Sequence, residues 1–315
     1  MAFELEPQEP LGPGIRRVLM EEMRDAAGRL EHASEIDWTE AVHEARKSIK
    51  KSRAALRLAR PSIGSLYGRA NSELRDIGRS VSEVRDAQVL VSTVDQLRNT
   101  FPEHAGAESF DRVKRALDER GGSVIRRARE EQLPLQAAER MRRVTALVAR
   151  GPWGEHGWEF IDARLRREYR RGRSSFEDAL DDPSGETVHA WRKRVKDHWY
   201  HLRLLRQAWP PVLKRTAKMA HSLSDLLGDE HDLVVLQATL EEEADGRWTP
   251  DDARFLSELA TRRRVDLLAE AVPLGRRLFA EKPGRFASRL RRYWEAARDE
   301  AAGLGDGGLA AAVGI

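Results

Sequence analysis

Seven Lys and Arg residues stand against one Glu between His43 and Arg60. His43, Arg46, Lys47, Lys50, Arg53 and Arg57 are spaced three or four apart. A second set follows 146 residues on, as His189, Arg192, Lys193, Lys196 and Arg203. At that offset Val42, Leu56 and Leu58 also coincide with Val188, Leu202 and Leu204. Such residues donate hydrogen bonds and carry or acquire positive charge. Arg offers a planar fork, Lys a point charge and His a proton near neutral pH. The chemistry they can do together is to hold an anion with closely spaced charges.

The plain alternative is a solvated helix face. Such a face normally mixes acids in at i+4, and here they are nearly absent, so ligand contact is the stronger reading for Arg46, Lys50, Arg57, Arg192, Lys196 and Arg203. Lys47, Lys193 and Arg53 sit at the edge of the stripe. For His43 and His189 the alternative is a structural hydrogen bond to a neighbouring helix. Their recurrence on both stripes favours contact with the anion, with a proton gained beside it. Only nine of the 55 basic residues are Lys, and scattered Arg elsewhere reflects composition more than function.

Asp86 and Asp232 fall on each other at the same offset. Each is expected to pair with an Arg and hold it in place, as a carboxylate repels an anionic ligand. Two His and two Asp could ligate zinc, but the surrounding cations oppose it, so no metal is expected. The arginine run from Arg164 to Arg173 is an even choice between site and surface, with Arg170 and Arg173 as supporting candidates. His198, His201 and His221 have no counterparts in the first copy. Trp191, Trp199 and Trp209 recur at helical spacing and are expected in the core or an interface.

These side chains need helices to position them. Around 100° per residue, Val42, Ala45, Ile49, Ser52, Leu56 and Ala59 form one stripe and the cations form its neighbour. Asp37 and Glu40 read as a capping box, and the helix stops before Pro61. Helical periodicity also predicts helices over 14–31, 66–98, 110–129, 135–150, 158–180, 213–243, 250–271 and 283–302. Asp182-Pro183 reads as an N-cap followed by Pro at the first helical position, opening the second motif helix, which runs to about Trp209. No stretch alternates with period two, so no strand is expected. The fold class is all-α, two pseudo-symmetric four-helix-bundle-like halves from an internal duplication. Residues 1–12 read as a flexible arm, 13–150 and 151–302 as the two halves split at Gly151-Pro152-Trp153-Gly154, and 303–315 as a disordered tail.

The 315 residues are 34% charged and 40% hydrophobic, with a formal net charge of +3. No apolar run reaches the ~18–20 residues of a membrane span, and the acidic N-terminus lacks a signal-peptide core. The absence of cysteine excludes disulfides, thiolate catalysis and Cys-ligated zinc. A cytoplasmic location is the default.

His43-x-x-Arg46-x-x-x-Lys50 and His189-x-x-Arg192-x-x-x-Lys196 resemble the signature of the CHAD family, the conserved histidine α-helical domain. Asn71 with Leu74-Arg75-Asp76, Val84-Arg85-Asp86-Ala87, Tyr169-Arg170-Arg171-Gly172-Arg173, Lys196-Asp197 with Tyr200, and Leu226-Leu227-Gly228 with His231-Asp232-Leu233 extend the resemblance over residues 12 to 300. It departs at Trp199, opposite Arg53, and at His231, opposite Arg85. The resemblance implies an all-α fold with internal symmetry. It also implies binding of inorganic polyphosphate on a basic central surface and association with polyphosphate granules in bacteria. Family members are often fused to a triphosphate-tunnel domain, and this chain looks like a stand-alone member.

Three functions compete. The first is non-catalytic polyphosphate binding in a central basic groove, with no cofactor. The second is a phosphohydrolase or phosphotransferase using His43 or His189, for which neither an acidic cluster suited to Mg²⁺ nor a phosphate-cradling Gly-rich loop is present. The third is nucleic-acid binding, which the stripes permit, although no reading motif appears and aromatic residues make up only 6%.

Overall fold

A computed structural model describes residues 3–33, 38–242 and 246–303. Among these, eleven α-helices and no strands are found: α1 Leu11–Glu31, α2 Trp38–Ala59, α3 Ser65–Ser80, α4 Ser82–Thr100, α5 Glu108–Glu130, α6 Leu133–Ala149, α7 Asp162–Asp181, α8 Gly185–Leu204, α9 Pro210–Glu242, α10 Pro250–Leu278 and α11 Pro283–Ala301. The all-α expectation holds. The proposed Asp37 cap and the tail beyond Gly303 lie outside the described residues.

In α2 the apolar stripe is buried along its whole length, from Val42 to Ala59. Burial of that face, rather than intrinsic propensity, is what keeps so charged a helix formed. Its partner α8 starts two residues later than Asp182-Pro183 suggests. Ser184 is the N-cap, and its hydroxyl accepts from the Thr187 N–H at 3.4 Å. The long helix expected over 66–98 is divided at Val81, whose φ and ψ of −110° and 10° leave the helical well. Ser80 and Ser82 flank the break. The Ser80 hydroxyl donates to Ile77 O at 2.9 Å, a local bond that competes with the helical ladder. At the matching place α9 runs unbroken past Leu227 for 33 residues.

α1 packs between α2 and α6, and α7 between α8 and α11, while α9 lies against both α8 and α10. The core does not divide at residue 150. One hydrophobic cluster joins α1, α2, α3 and α6 to α7, α8, α11 and the first half of α9. A second joins α4 and α5 to the second half of α9 and much of α10. Both clusters draw on both sequence halves. Along α4 the change of cluster falls between Val84 and Leu90, and along α9 between Leu227 and Leu233. Polar residues fill those two gaps: Arg85 and Asp86 in one, Gly228, His231 and Asp232 in the other.

The first residues are not a loose arm. Phe3 and Leu5 are buried, and the Leu5 N–H donates to Leu204 O at 2.8 Å. Arg17 donates to Glu4 O at 3.0 Å and to Glu9 Oε1 at 2.6 Å, and Arg206 pairs with Glu4. Burying one Leu side chain contributes about 2 kcal/mol, and buried Phe3 and two ion pairs help to hold the eight-residue strap. The motif-free N-terminus hides this because its apolar residues are too few to show a period.

Candidate functional site

The two motif helices touch directly. His201 of α8 reaches across, its Nε2 3.1 Å from Ala54 O of α2. That contact orients the stripes toward the seam between the two hydrophobic clusters, where α4 and α9 contribute their polar residues.

Arg46 is held by Asp86 of α4, Nη2 to Oδ1 at 3.5 Å. Its Nη1 is buried with no hydrogen-bond partner, and burial works against its charge, with Asp86 supporting it and Arg85 adding repulsion. On α8, Arg192 lies over Gly228 of α9: a Cβ there would come 3.7 Å from the guanidinium. Arg192 Nε is likewise buried without a partner. Lys50 and Lys196 complete the cluster. Lys50 is exposed. Although part of the side chain meets solvent, desolvation by the surrounding helices, then Lys196, Arg46 and Arg192, push its ammonium down to about 7. Desolvation, followed by Arg192, brings Lys196 down to about 8. The two stripes therefore share one electrostatic environment. Asp232 feels Arg192, Arg85 and Lys196, yet its pKa is raised because desolvation outweighs them. It makes no ion pair among the described residues, unlike Asp86.

The histidines stand at the outer end. Desolvation, then Arg85 and Lys47, lowers the His43 pKa. Desolvation, then Lys193 and Arg192, lowers that of His189 to about 4. Both imidazoles are thus pushed toward the neutral form, and an anion beside them would oppose that shift. His189 stacks on His231, ring centroids 4.0 Å apart, and both Nδ1 atoms are buried without partners. Lys47 is exposed and bonded to Glu44 at 2.6 Å; Lys193 is exposed.

Other candidates are placed elsewhere. Arg57 pairs with Asp197 of α8, both largely buried. Burial opposes the charge of Arg57, but Asp197 and Glu168 outweigh it and hold its pKa above the ordinary guanidinium value. Asp197 also takes Arg194 at 3.3 Å, and Arg194 reaches Glu168 of α7. Glu168 is buried among Arg164, Arg171 and Arg194. Arg57 is thus one end of a charge network that ties α2, α8 and α7 together, and its guanidinium is already engaged by a carboxylate. Arg53 donates to Asn71 Oδ1 at 3.1 Å. Arg203 lies over the rings of Trp199 and Phe3, at 5.3 and 5.7 Å, and so does not extend the cluster. Arg173 donates to Glu281 O at 3.2 Å and pairs with Glu177. It lies on the face of α7 opposite Arg164, because nine residues turn a helix by half a circle, and the exposed Arg170 lies about 120° round from Arg164. Neither supports the site. Trp191 is in the core and Trp199 is partly buried, but Trp209 is 45% exposed.

Arg85 was missed as a site residue. The field it exerts on His43, Arg46 and Asp232 places it in the cluster. Its position opposite His231 carried the signal, because both occupy the turn before an aligned Asp. Among the described residues no three His, Asp or Glu are placed to hold a metal ion, and no helix is long and apolar enough to cross a membrane.

Residues 17–241 match the family model for the CHAD domain. The chain belongs to the CHAD domain family. The crystal structure of the CHAD domain from the plant Ricinus communis superposes with a TM-score of 0.56 over 94% of this chain and 95% of that one, at 18% identity. At that identity the likeness speaks for the fold alone. No curated protein matches the chain. Of the CHAD signature residues, Arg46, Lys50, Arg192 and Lys196 form the centre of the cluster, with the histidines at its edge.

Proposed function

We propose that this CHAD protein binds inorganic polyphosphate, without catalysis, at the seam where the two stripes meet. The observation that carries the reading is the pair of buried, unpartnered guanidinium nitrogens, Arg46 Nη1 and Arg192 Nε, on helices that also bring Lys50 and Lys196 together. Buried donors without acceptors are costly, about 1–3 kcal/mol each. The mutual repulsion of Lys50, Lys196, Arg46 and Arg192 adds to that cost. A chain of phosphates would supply the acceptors and the opposite charge at once.

The ligand class follows from what the seam offers. Polyphosphate has closely spaced charges and no bases, so dense Arg and Lys suffice. Arg85 and Lys193 would extend the contact along the chain, and His43 and His189 would bind its outer phosphates after taking up protons. Asp86 would keep Arg46 in position. Residence at polyphosphate granules is the cellular consequence of this reading.

Titration with polyphosphates of defined length tests it. Affinity should rise with chain length until the seam is filled, then level off. It should fall steeply with salt, because each neutralised charge releases counterions. Affinity indifferent to both variables would refute the proposal. Incubation with polyphosphate and Mg²⁺ should release no phosphate; release would make the histidines catalytic instead.

A further inference from the structure

A second charged surface lies on α11, away from the seam. Arg285, Arg289 and Arg292 line a groove of about 690 Å³ together with Glu281, Gly284, Ser288 and Tyr293. From Arg285 to Arg292 is seven residues, about 10 Å along the helix. Arg285 and Arg292 are exposed and make no ion pair among the described residues. Arg289 is bonded to Glu281 at 2.9 Å and lies 5.5 Å over the Tyr293 ring. At the edge of the groove Trp209 packs edge-on against Tyr293, centroids 4.6 Å apart, and leaves much of its indole in solvent. Glu281 Oε2 is buried with no donor.

These features ask for different things from one ligand. Unpaired guanidinium groups ask for phosphate. An exposed indole braced by a second ring offers a stacking face, which polyphosphate cannot use. A buried carboxylate oxygen without a donor asks for an N–H group, which polyphosphate also lacks. A single-stranded nucleic acid has all three: a phosphate chain, π faces and exocyclic amines.

We propose that α11 and Trp209 form a binding surface for single-stranded nucleic acid, separate from the basic seam. A base stacks on Trp209, the strand's phosphates meet Arg292 and Arg285, and an exocyclic amine donates to Glu281.

The test is fluorescence anisotropy with a labelled single-stranded RNA of about ten nucleotides, within the usual footprint of such surfaces. Trp209→Ala should weaken binding about tenfold, the usual effect of losing one base stack. Arg285→Glu with Arg292→Glu should weaken it further. Both variants should bind polyphosphate as before. Arg46→Glu with Arg192→Glu should leave RNA binding in place, so failure here and failure of the seam reading are read separately. Three results would overturn the proposal: no RNA binding by the intact protein, RNA binding lost on reversal at Arg46 and Arg192 but kept in Trp209→Ala, or polyphosphate displacing RNA equally well after the seam is reversed. The last would make α11 a general polyanion surface.

Discussion

Arg57 of α2 and Asp197 of α8 form an ion pair across the contact between the two motif helices. The pair holds the stripes in register, and Arg194 and Glu168 continue it into α7. Removing the acid would leave Arg57 and Arg194 largely buried without it. Asp197→Ala is therefore expected to destabilise the protein by about 3 kcal/mol, read by urea denaturation. A loss below about 0.5 kcal/mol, the range of ordinary surface changes, would show that the network is not structural. Replacing Arg57 by Met, which fills similar space without a charge, should cost less than removing Asp197, which strands Arg57 and leaves Arg194 only Glu168.

The periods of the sequence carry the helices well because each depends on its own buried stripe. They carry the site less well. Arg46 and Arg57 stand three turns apart on one face, and nothing local separates a ligand-facing guanidinium from one taken by a carboxylate 140 residues away. Asp197 sits inside the second stripe, and its partner depends on how α2 meets α8. The division into halves at residue 150 failed as a guide to packing for the same reason. Long helices such as α9 pass from one hydrophobic cluster to the other, and periodicity does not say where. Val81 was legible only in part: an apolar residue at the right phase continues a stripe whether or not the backbone does.

Binding should depend on pH with a definite sign. Desolvation, then the neighbouring cations, lowers the pKa of Lys50 to about 7 and that of Lys196 to about 8. Arg46, Arg192 and the lysines themselves oppose the charge there, and Asp86, Asp225 and Asp232 support it. A bound polyanion restores the charged forms, so binding takes up protons. Affinity is expected to fall as pH rises from 7 to 9, by up to about tenfold per unit for each proton taken up. Lys50→Arg with Lys196→Arg should make the profile shallower while keeping affinity at pH 7, with the proton uptake of His43 and His189 remaining. Stability of the empty protein runs the other way: the unfolded lysines hold protons to about pH 10.4, so this contribution increases stability as pH rises from 7 to 10. An affinity unchanged between pH 7 and 9 at constant salt would count against the lysines as ligands.

His198 gives an independent pH test. It is buried among Tyr169, Phe279 and Phe286, its Nε2 has no partner, and burial depresses its pKa to about 3. The unfolded imidazole takes a proton below about pH 6.5, the folded one only near 3. Stability is therefore lost as pH falls through this window. His198→Leu should make thermal denaturation less sensitive to pH between 6.5 and 4 with polyphosphate binding unchanged. An unaltered slope would mean that His198 does not govern the acid limb.

Gly228 separates space from charge at the site. It lies inside α9, where Gly costs about 1 kcal/mol relative to Ala, and an added Cβ meets only Arg192, at an ordinary 3.7 Å. Gly228→Ala should stabilise the protein by about that amount and leave binding intact. Gly228→Leu should displace the Arg192 guanidinium and weaken polyphosphate binding while circular dichroism shows the helices unchanged. Equal binding by both variants would show that Arg192 needs no fixed position.

Charge reversal decides the central reading. Arg46 and Arg192 approach the seam from different helices, and each keeps a buried nitrogen without an acceptor. Replacing both by Glu puts two carboxylates beside Lys50 and Lys196, relieving the repulsion that pushes those lysines down. Arg46→Glu also sets a carboxylate beside Asp86, the partner of Arg46, so thermal denaturation is read beside binding, and a fold retained at pH 7 separates loss of binding from loss of fold. Polyphosphate binding should fall by at least about 100-fold at low salt. The salt dependence of what remains should be shallower by about two contacts, each contributing a slope near −0.9 on a double-logarithmic plot if polyphosphate behaves like a duplex. Either Arg46→Glu or Arg192→Glu alone should give an intermediate loss, because one stripe then still offers its Arg and Lys. If the double variant keeps both its affinity and its salt slope, the stripes are a solvated face and the ligand lies elsewhere.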